Sequence, residues 1–204
     1  GLAAGLSYDL GLLNLGALRD ATIDELIDHC RAVADVIPVF GFFLNESVGG
    51  RHLPLEFWQR FVEIPNVLAI KVAAFNRYQT FDVVRAVAEA GRAGDIALYT
   101  GNDDNILLDL VTEYAIPTST GVQKVRFSGG LLGHWAVWTK TAVGMMKEAR
   151  QYRDYSKPLP QEFLTMAMEV TDANAVLFDA ANGFAGCIPG IHEILYRQGL
   201  LAGT

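Results

Sequence analysis

Two patterns of apolar residues alternate along the chain. Short continuous runs, at residues 10–15, 37–44, 67–73 and 95–100, are each flanked by Gly, Pro, Asn or Asp. Such runs read as strands buried on both faces. Between them, apolar residues recur at helical spacing. Thr22 with Glu25 three positions on has the form of a capping box, and Leu26, Ile27, Cys30 and Val33 follow on the 3.6-residue period. Pro54 opens a second stripe of Phe57, Trp58, Phe61 and Ile64. Gln79 or Thr80 opens a third, which runs through Val83, Val84 and Val87 to Gly91. Gly41 inside the second strand suggests a bulge.

The second half reads differently. Residues 106–111 form a short helix, 116–123 are polar and turn-rich, and 125–128 make a last strand ending at Gly129 and Gly130. Strands then stop. One long helix is predicted over 131–155, a second over 161–181 and a short one over 191–198, with Pro158 and Pro160 between the first two.

Strand ends recur at a steady interval: Asn14, Phe43, Lys71, Tyr99 and Ser128 are 29, 28, 28 and 29 residues apart. This is the signature of βα units and a parallel sheet. A (β/α)8 TIM barrel is the natural architecture, with a doubly wound open sheet as the alternative; no GxGxxG turn supports the latter. Such barrels need eight strands and about 250 residues. The chain is therefore expected to cover strands 4 to 8 plus C-terminal helices, with about three N-terminal βα units outside it. Residues 1–130 are read as the C-terminal portion of the barrel. Residues 131–204 are read as its last helix and a helical extension.

Composition narrows the partners. The 204 residues are 51% hydrophobic and 19% charged, with a formal net charge of -7. That balance argues against a nucleic-acid backbone binder, which needs a basic surface, and favours a small molecule. It also suggests a well-covered sheet or a large subunit contact; a homo-oligomer, dimer or tetramer, is the expected assembly. No apolar run reaches membrane-spanning length and no signal peptide is visible, which gives a cytoplasmic expectation without membrane association. Cys30 and Cys187 are isolated, and His29, His52, His134 and His192 form no ligand spacing, so neither a metal nor another cofactor is expected.

Lys71 is the residue that requires explanation. It is the one charge in the run 67–73, and a charge within a buried strand is costly unless it is paired, neutralised or used in chemistry. One alternative is a strand-end lysine whose stem is buried and whose amine reaches water. In a barrel, however, chemistry sits at the C-terminal strand ends. Lys71 lies at such an end, as do Gly101 to Asp104 and Ser128 to Gly130.

Four segments in order, IPVFGFFLN followed by VGG, VLAIKVA, LYTGNDDN, and GCIPGIHEILYRQGLL, resemble the dihydrodipicolinate synthase and N-acetylneuraminate lyase family of Schiff-base aldolases. The resemblance runs from the first strand to the C-terminal helices. It implies that Lys71 condenses with the keto group of pyruvate or a related 2-oxo acid, in a lyase, aldolase or dehydratase reaction that needs no cofactor. Asp103 and Asp104 match the segment that contacts the distal part of the substrate in the family's sugar-acid lyases, although an N-cap pair after Gly101 is an equal alternative for them. Gly101 and Ser128 are implied to line the pocket. The family's tyrosine on the preceding strand, 28 residues before the lysine, relays protons. Here that position is Phe43, beside Phe42, and neither carries a hydroxyl. Asn14-Leu15-Gly16 likewise replaces the family's aromatic pair on the fourth strand. A chemically diverged or non-catalytic relative that binds a 2-oxo acid is the alternative this departure raises.

Overall fold

The computed structural model describes residues 1–155 and 157–204. After a single helical turn, α1 (Leu2–Gly5), the chain builds a five-stranded parallel sheet from β1 (Gly11–Asn14), β2 (Val39–Leu44), β3 (Val67–Ala73), β4 (Ala97–Thr100) and β7 (Phe127–Gly130). The strands lie in chain order, each parallel to the last. Between them run α2 (Ile23–Ala34), α3 (Leu55–Phe61), α4 (Arg77–Glu89) and α5 (Ile106–Val111). The βα repeat expected from the spacing is present.

Local chemistry accounts for the helix starts. Thr22 caps α2: its hydroxyl accepts from the Glu25 N–H, and the Glu25 carboxylate accepts from the Thr22 N–H at 2.7 Å. Pro54 is the N-cap of α3. For α4 the capping residue is Asn76 rather than Gln79 or Thr80; its side-chain oxygen accepts from the N–H groups of Tyr78 and Gln79. Thr80 is instead buried inside the helix.

The outer face of the sheet holds the core. Val39, Phe43, Val67, Ile70, Val72, Leu98 and Phe127 pack under Leu26, Ile27, Phe57, Trp58, Phe61, Val83 and Val87 from the helices, all nearly fully buried. Each such side chain contributes about 1.5–3 kcal/mol when removed from water. Gly41 is required by this packing and not by a bulge: a Cβ there would stand 2.6 Å from the Phe61 ring. The irregularity in β2 pairing falls at Val39 and Phe40.

That irregularity, with another at Leu98 and Tyr99, changes which strand-end residues align. Pairing runs Asn14 to Phe42, Phe42 to Lys71, Lys71 to Tyr99 and Tyr99 to Gly129. The expected series was one residue off at Phe43 and Ser128. A one-residue slip moves a side chain to the other face, so the inner face carries Phe42, Lys71 and Tyr99, whereas Phe43 belongs to the outer core.

Two expectations in the second half are corrected. The turn-rich stretch after α5 is an antiparallel hairpin, β5 (Tyr114–Thr118) with β6 (Gly121–Val125), which buries Tyr114, Ile116 and Val125 in the outer core. The long helix after β7 is broken into α6 (Gly133–Val137) and α7 (Thr139–Tyr155) at Trp138, whose backbone is not helical. Then follow α8 (Gln161–Leu177) and α9 (Cys187–Arg197). α5, α7 and α8 share one apolar cluster around Met145, Ala149 and Phe163; Val137, Leu177, Phe178 and Ile191 form another. Among the described residues, no helix is long and apolar enough to cross a membrane.

Candidate active site around Lys71

Lys71 projects from the inner face of β3, half-buried, between Phe42 of β2 and Tyr99 of β4 in register. Its Nζ lies 4.4 Å from the centroid of the Phe42 ring. Among the described residues no carboxylate forms an ion pair with it. Burial holds its ammonium below the ordinary lysine range.

Gly101 closes the lysine in from β4. A Cβ at that position would meet Lys71 Cε at 2.8 Å and the Leu131 carbonyl oxygen at 3.0 Å, so a side chain there would displace the lysine stem. The Gly101 N–H donates to Val72 O at 2.6 Å, which extends the β3–β4 pairing one residue past the strand.

Asp103 and Asp104 follow on the same loop, but they open onto a different space. A cavity of about 300 Å³ is lined by both of them with Asn45, Phe75, Asn174 and Phe184; Lys71 does not line it. Burial, and then the neighbouring Asp104 charge, pushes the Asp103 carboxyl up to about 7. Burial also raises Asp104, with Arg77 opposing. Neither carboxylate caps α5, whose N-cap is Asn105. Ser128 stands in neither place. As the residue left out of the β4–β7 pairing it is exposed, and it lines a separate cavity of about 330 Å³ with Tyr99, Trp135 and Arg150. A roomier cavity, about 550 Å³ around Arg31, Glu63 and Asn66, lies at the opposite ends of the strands, away from Lys71.

The loop is held by residues that sequence reading passed over. Asn102 is fully buried: its Nδ2 donates to Asp109 Oδ2 at 3.0 Å and to Thr80 Oγ1 at 3.2 Å, and its Oδ1 accepts from the Phe75 N–H at 3.1 Å. It thereby ties the loop after β4 to the end of the lysine strand. Asp109 gathers further donors from Thr100, Asn105, Tyr114 and Arg77. A signal for it existed: Asp109 is the one charge in an apolar helix, the same anomaly that marks Lys71. From the other side, α8 clamps the loop carbonyls, with Asn174 Nδ2 donating to Asp103 O at 2.8 Å and Thr171 Oγ1 to Asp104 O at 2.9 Å. Asn174 Oδ1 accepts in turn from the buried His134 Nδ1, 2.7 Å away.

No protein-family model matches the chain. A curated relative does: 4-hydroxy-tetrahydrodipicolinate synthase of Cyanothece sp., 32% identical over 111 residues, which are 53% of this chain and 36% of that protein. The fold matches dihydrodipicolinate synthase from Bacteroides thetaiotaomicron with a TM-score of 0.70 at 17% identity, over 98% of this chain and 60% of that one. N-acetylneuraminate lyase from Mycoplasma synoviae matches with a TM-score of 0.62 at 14% identity, over 99% and 58%. The chain is thus similar in sequence to a dihydrodipicolinate synthase, and in fold to members of the dihydrodipicolinate synthase and N-acetylneuraminate lyase family.

The parallel sheet with its flanking helices thus matches part of the (β/α)8 barrel of these structures. The chain spans 36% of the length of the curated relative and 60% of that of the Bacteroides enzyme. Phe43, at the position that chain spacing aligns with the family tyrosine, lies in the core and does not face Lys71. It is 2% exposed and packs 5.1 Å from the Trp58 ring, on the helix side of β2. On β2, the aromatic residue beside the lysine is Phe42.

Proposed function

We propose that the protein is a Schiff-base lyase, aldolase or dehydratase acting on pyruvate or a related 2-oxo acid, sugar acids included, with Lys71 as the nucleophile. The observation that carries the reading is the state of Lys71: a half-buried amine without a carboxylate partner among the described residues, held by burial below its ordinary range. Lowering the pKa raises the neutral fraction, and the neutral amine is the form that attacks a carbonyl. The imine that results draws electrons from the adjacent carbon, so a bond beyond the former keto carbon breaks or forms without a separate cofactor. Gly101 keeps the space beside the stem clear. Asp103 and Asp104, at the neighbouring strand end, are assigned to the distal part of a longer substrate. Ser128 is the more remote pocket residue. Tyr99, in register with the lysine, is the hydroxyl-bearing neighbour on the inner face and the group we assign to proton transfer. A homo-oligomer working in the cytoplasm, with residues 131–204 as a helical extension of the barrel, completes the proposal.

Incubation with a panel of 2-oxo acids, reduction with borohydride and peptide mapping by mass spectrometry test it. Mass added at Lys71, and lost in a Lys71→Ala variant, is the expected result. A panel that leaves Lys71 unmodified in the folded protein overturns the proposal. One observation favours a second reading, a relative that binds 2-oxo acids without turning them over: both Phe42 and Phe43 lack the hydroxyl of the family's proton relay. Under that reading Lys71→Ala binds the acid as tightly as the parent, which isothermal calorimetry measures.

A further inference from the structure

The Lys71 amine has beside it an aromatic ring whose face favours positive charge. Pairing of β2 with β3 sets Phe42 opposite Lys71, and the lysine nitrogen comes to rest 4.4 Å from the ring centroid. Among the described residues, no carboxylate is ion-paired with that nitrogen. The face of an aromatic ring carries partial negative charge and attracts a cation within about 6 Å of its centroid, more strongly where water is excluded. Both residues are half-buried on the inner face of the sheet.

The geometry points to Phe42 as a catalytic residue whose ring face stabilises the positive charge that appears on the Lys71 nitrogen as the imine forms. This inference rests on the proposed imine chemistry of Lys71. In that step the nitrogen lone pair forms a bond to the keto carbon. The keto oxygen takes one proton from the nitrogen and one from solvent and leaves as water with the electron pair of its bond to carbon. The nitrogen keeps one proton and a formal positive charge. One amine, one ketone and one proton become one iminium and one water, with no oxidant or reductant. A nitrogen that began neutral ends cationic, directly against the Phe42 face. Phenylalanine has no proton to give, so its contribution is to charge and not to proton transfer.

The inference separates from simple packing by its dependence on charge. Ammonium and iminium carry the same charge, so the ring changes the imine equilibrium only where the free lysine is neutral. The test replaces Phe42 in the full chain by 4-fluoro-, 3,4-difluoro- and 3,4,5-trifluorophenylalanine, which drain the ring face while nearly keeping its shape, and adds Phe42→Leu. The reduced adduct with pyruvate is quantified by mass spectrometry at a pH above and a pH below the midpoint of the parent's own trapping profile. The expected result at the higher pH is a stepwise rise in half-saturating pyruvate, reaching about two- to thirty-fold in the most perturbed proteins. At the lower pH the series is flatter. A series that is flat at both pH values, or that rises equally at both, overturns the role of Phe42 while leaving Lys71 as the nucleophile. A parent protein that traps no adduct overturns the imine reading and this inference with it.

Discussion

Phe43 and Trp58 pack with their ring centroids 5.1 Å apart on the helix side of β2, so the residue that chain spacing aligns with the family tyrosine does not face Lys71. The face is decided by the pairing of Phe42 with Lys71, one residue earlier. Restoring a tyrosine at 43 therefore places a hydroxyl in the apolar core. Phe43→Tyr is expected to cost about 1–3 kcal/mol through an unpaired buried hydroxyl, and to leave trapping at Lys71 unchanged. Phe42→Tyr, at a half-buried position, is expected to cost less than about 1 kcal/mol. Chemical denaturation of the two variants beside the parent decides which ring belongs to the core.

Asp109 anchors the loop beside the lysine from within α5. It is fully buried, paired with Arg77, and accepts from Thr100 Oγ1 at 2.6 Å and Asn102 Nδ2 at 3.0 Å. Removing one partner of such a group leaves donors unsatisfied and Arg77 without its counter-charge, although Arg77 is partly exposed and recovers some hydration. Asp109→Ala is expected to destabilise by about 3 kcal/mol. The same variant loses the acceptor that positions Asn102, so amide exchange at Phe75, whose N–H donates to Asn102, is expected to accelerate. Denaturant titration and hydrogen exchange measure the two effects.

These residues show which parts of the fold were legible in the chain. The βα period was, because each parallel strand is a short apolar run and the next is reached through residues at helical spacing. Lys71 was, because a charge in such a run is anomalous. The face of Phe43 was not: two irregularities in strand pairing, at Val39 and Phe40 and at Leu98 and Tyr99, are set by packing between strands and shift the alignment by one residue. The hairpin at Tyr114 to Val125 was missed because Pro117, Ser119, Thr120 and Gly121 mask the alternation of buried Tyr114 and Ile116 with more exposed Ala115 and Pro117. The network around Asn102 joins residues from α4, β4, α5 and β5, and no local spacing encodes it.

Gly101 tests how tightly the lysine is confined. An added methyl would stand 2.8 Å from Lys71 Cε, 3.0 Å from the Ala73 Cβ and 3.0 Å from a backbone oxygen, so the flexible lysine stem is the neighbour that must yield. Gly101→Ala is expected to move the amine away from the Phe42 face and to slow borohydride trapping of pyruvate by about tenfold or more, since small misplacements of a reacting atom are costly. Its stability loss is expected to stay near 1–3 kcal/mol, as for other overpacked sites. A trapping rate equal to that of the parent shows that the lysine reaches its substrate from another direction.

Asp103 gives the fold a pH dependence whose sign follows from its burial. Its carboxyl is raised to about 7 in the folded protein from an ordinary value of 3.8. Between those values the folded chain holds a proton that the unfolded chain has lost, so stability falls as pH rises through this window and stays low above it. The full shift corresponds to at most about 4 kcal/mol, and relaxation around the loop reduces it. Asn at this position carries no charge at any pH and leaves the Asp103 backbone carbonyl free to keep its bond from Asn174. Asp103→Asn is therefore expected to gain stability relative to the parent progressively between about pH 4 and pH 7, with a constant difference above that range. Denaturation midpoints of both proteins at pH 4.5, 6 and 8 measure it. A difference that does not change with pH shows that the carboxyl is already ionised at the lowest of these values and that water reaches it in the folded loop.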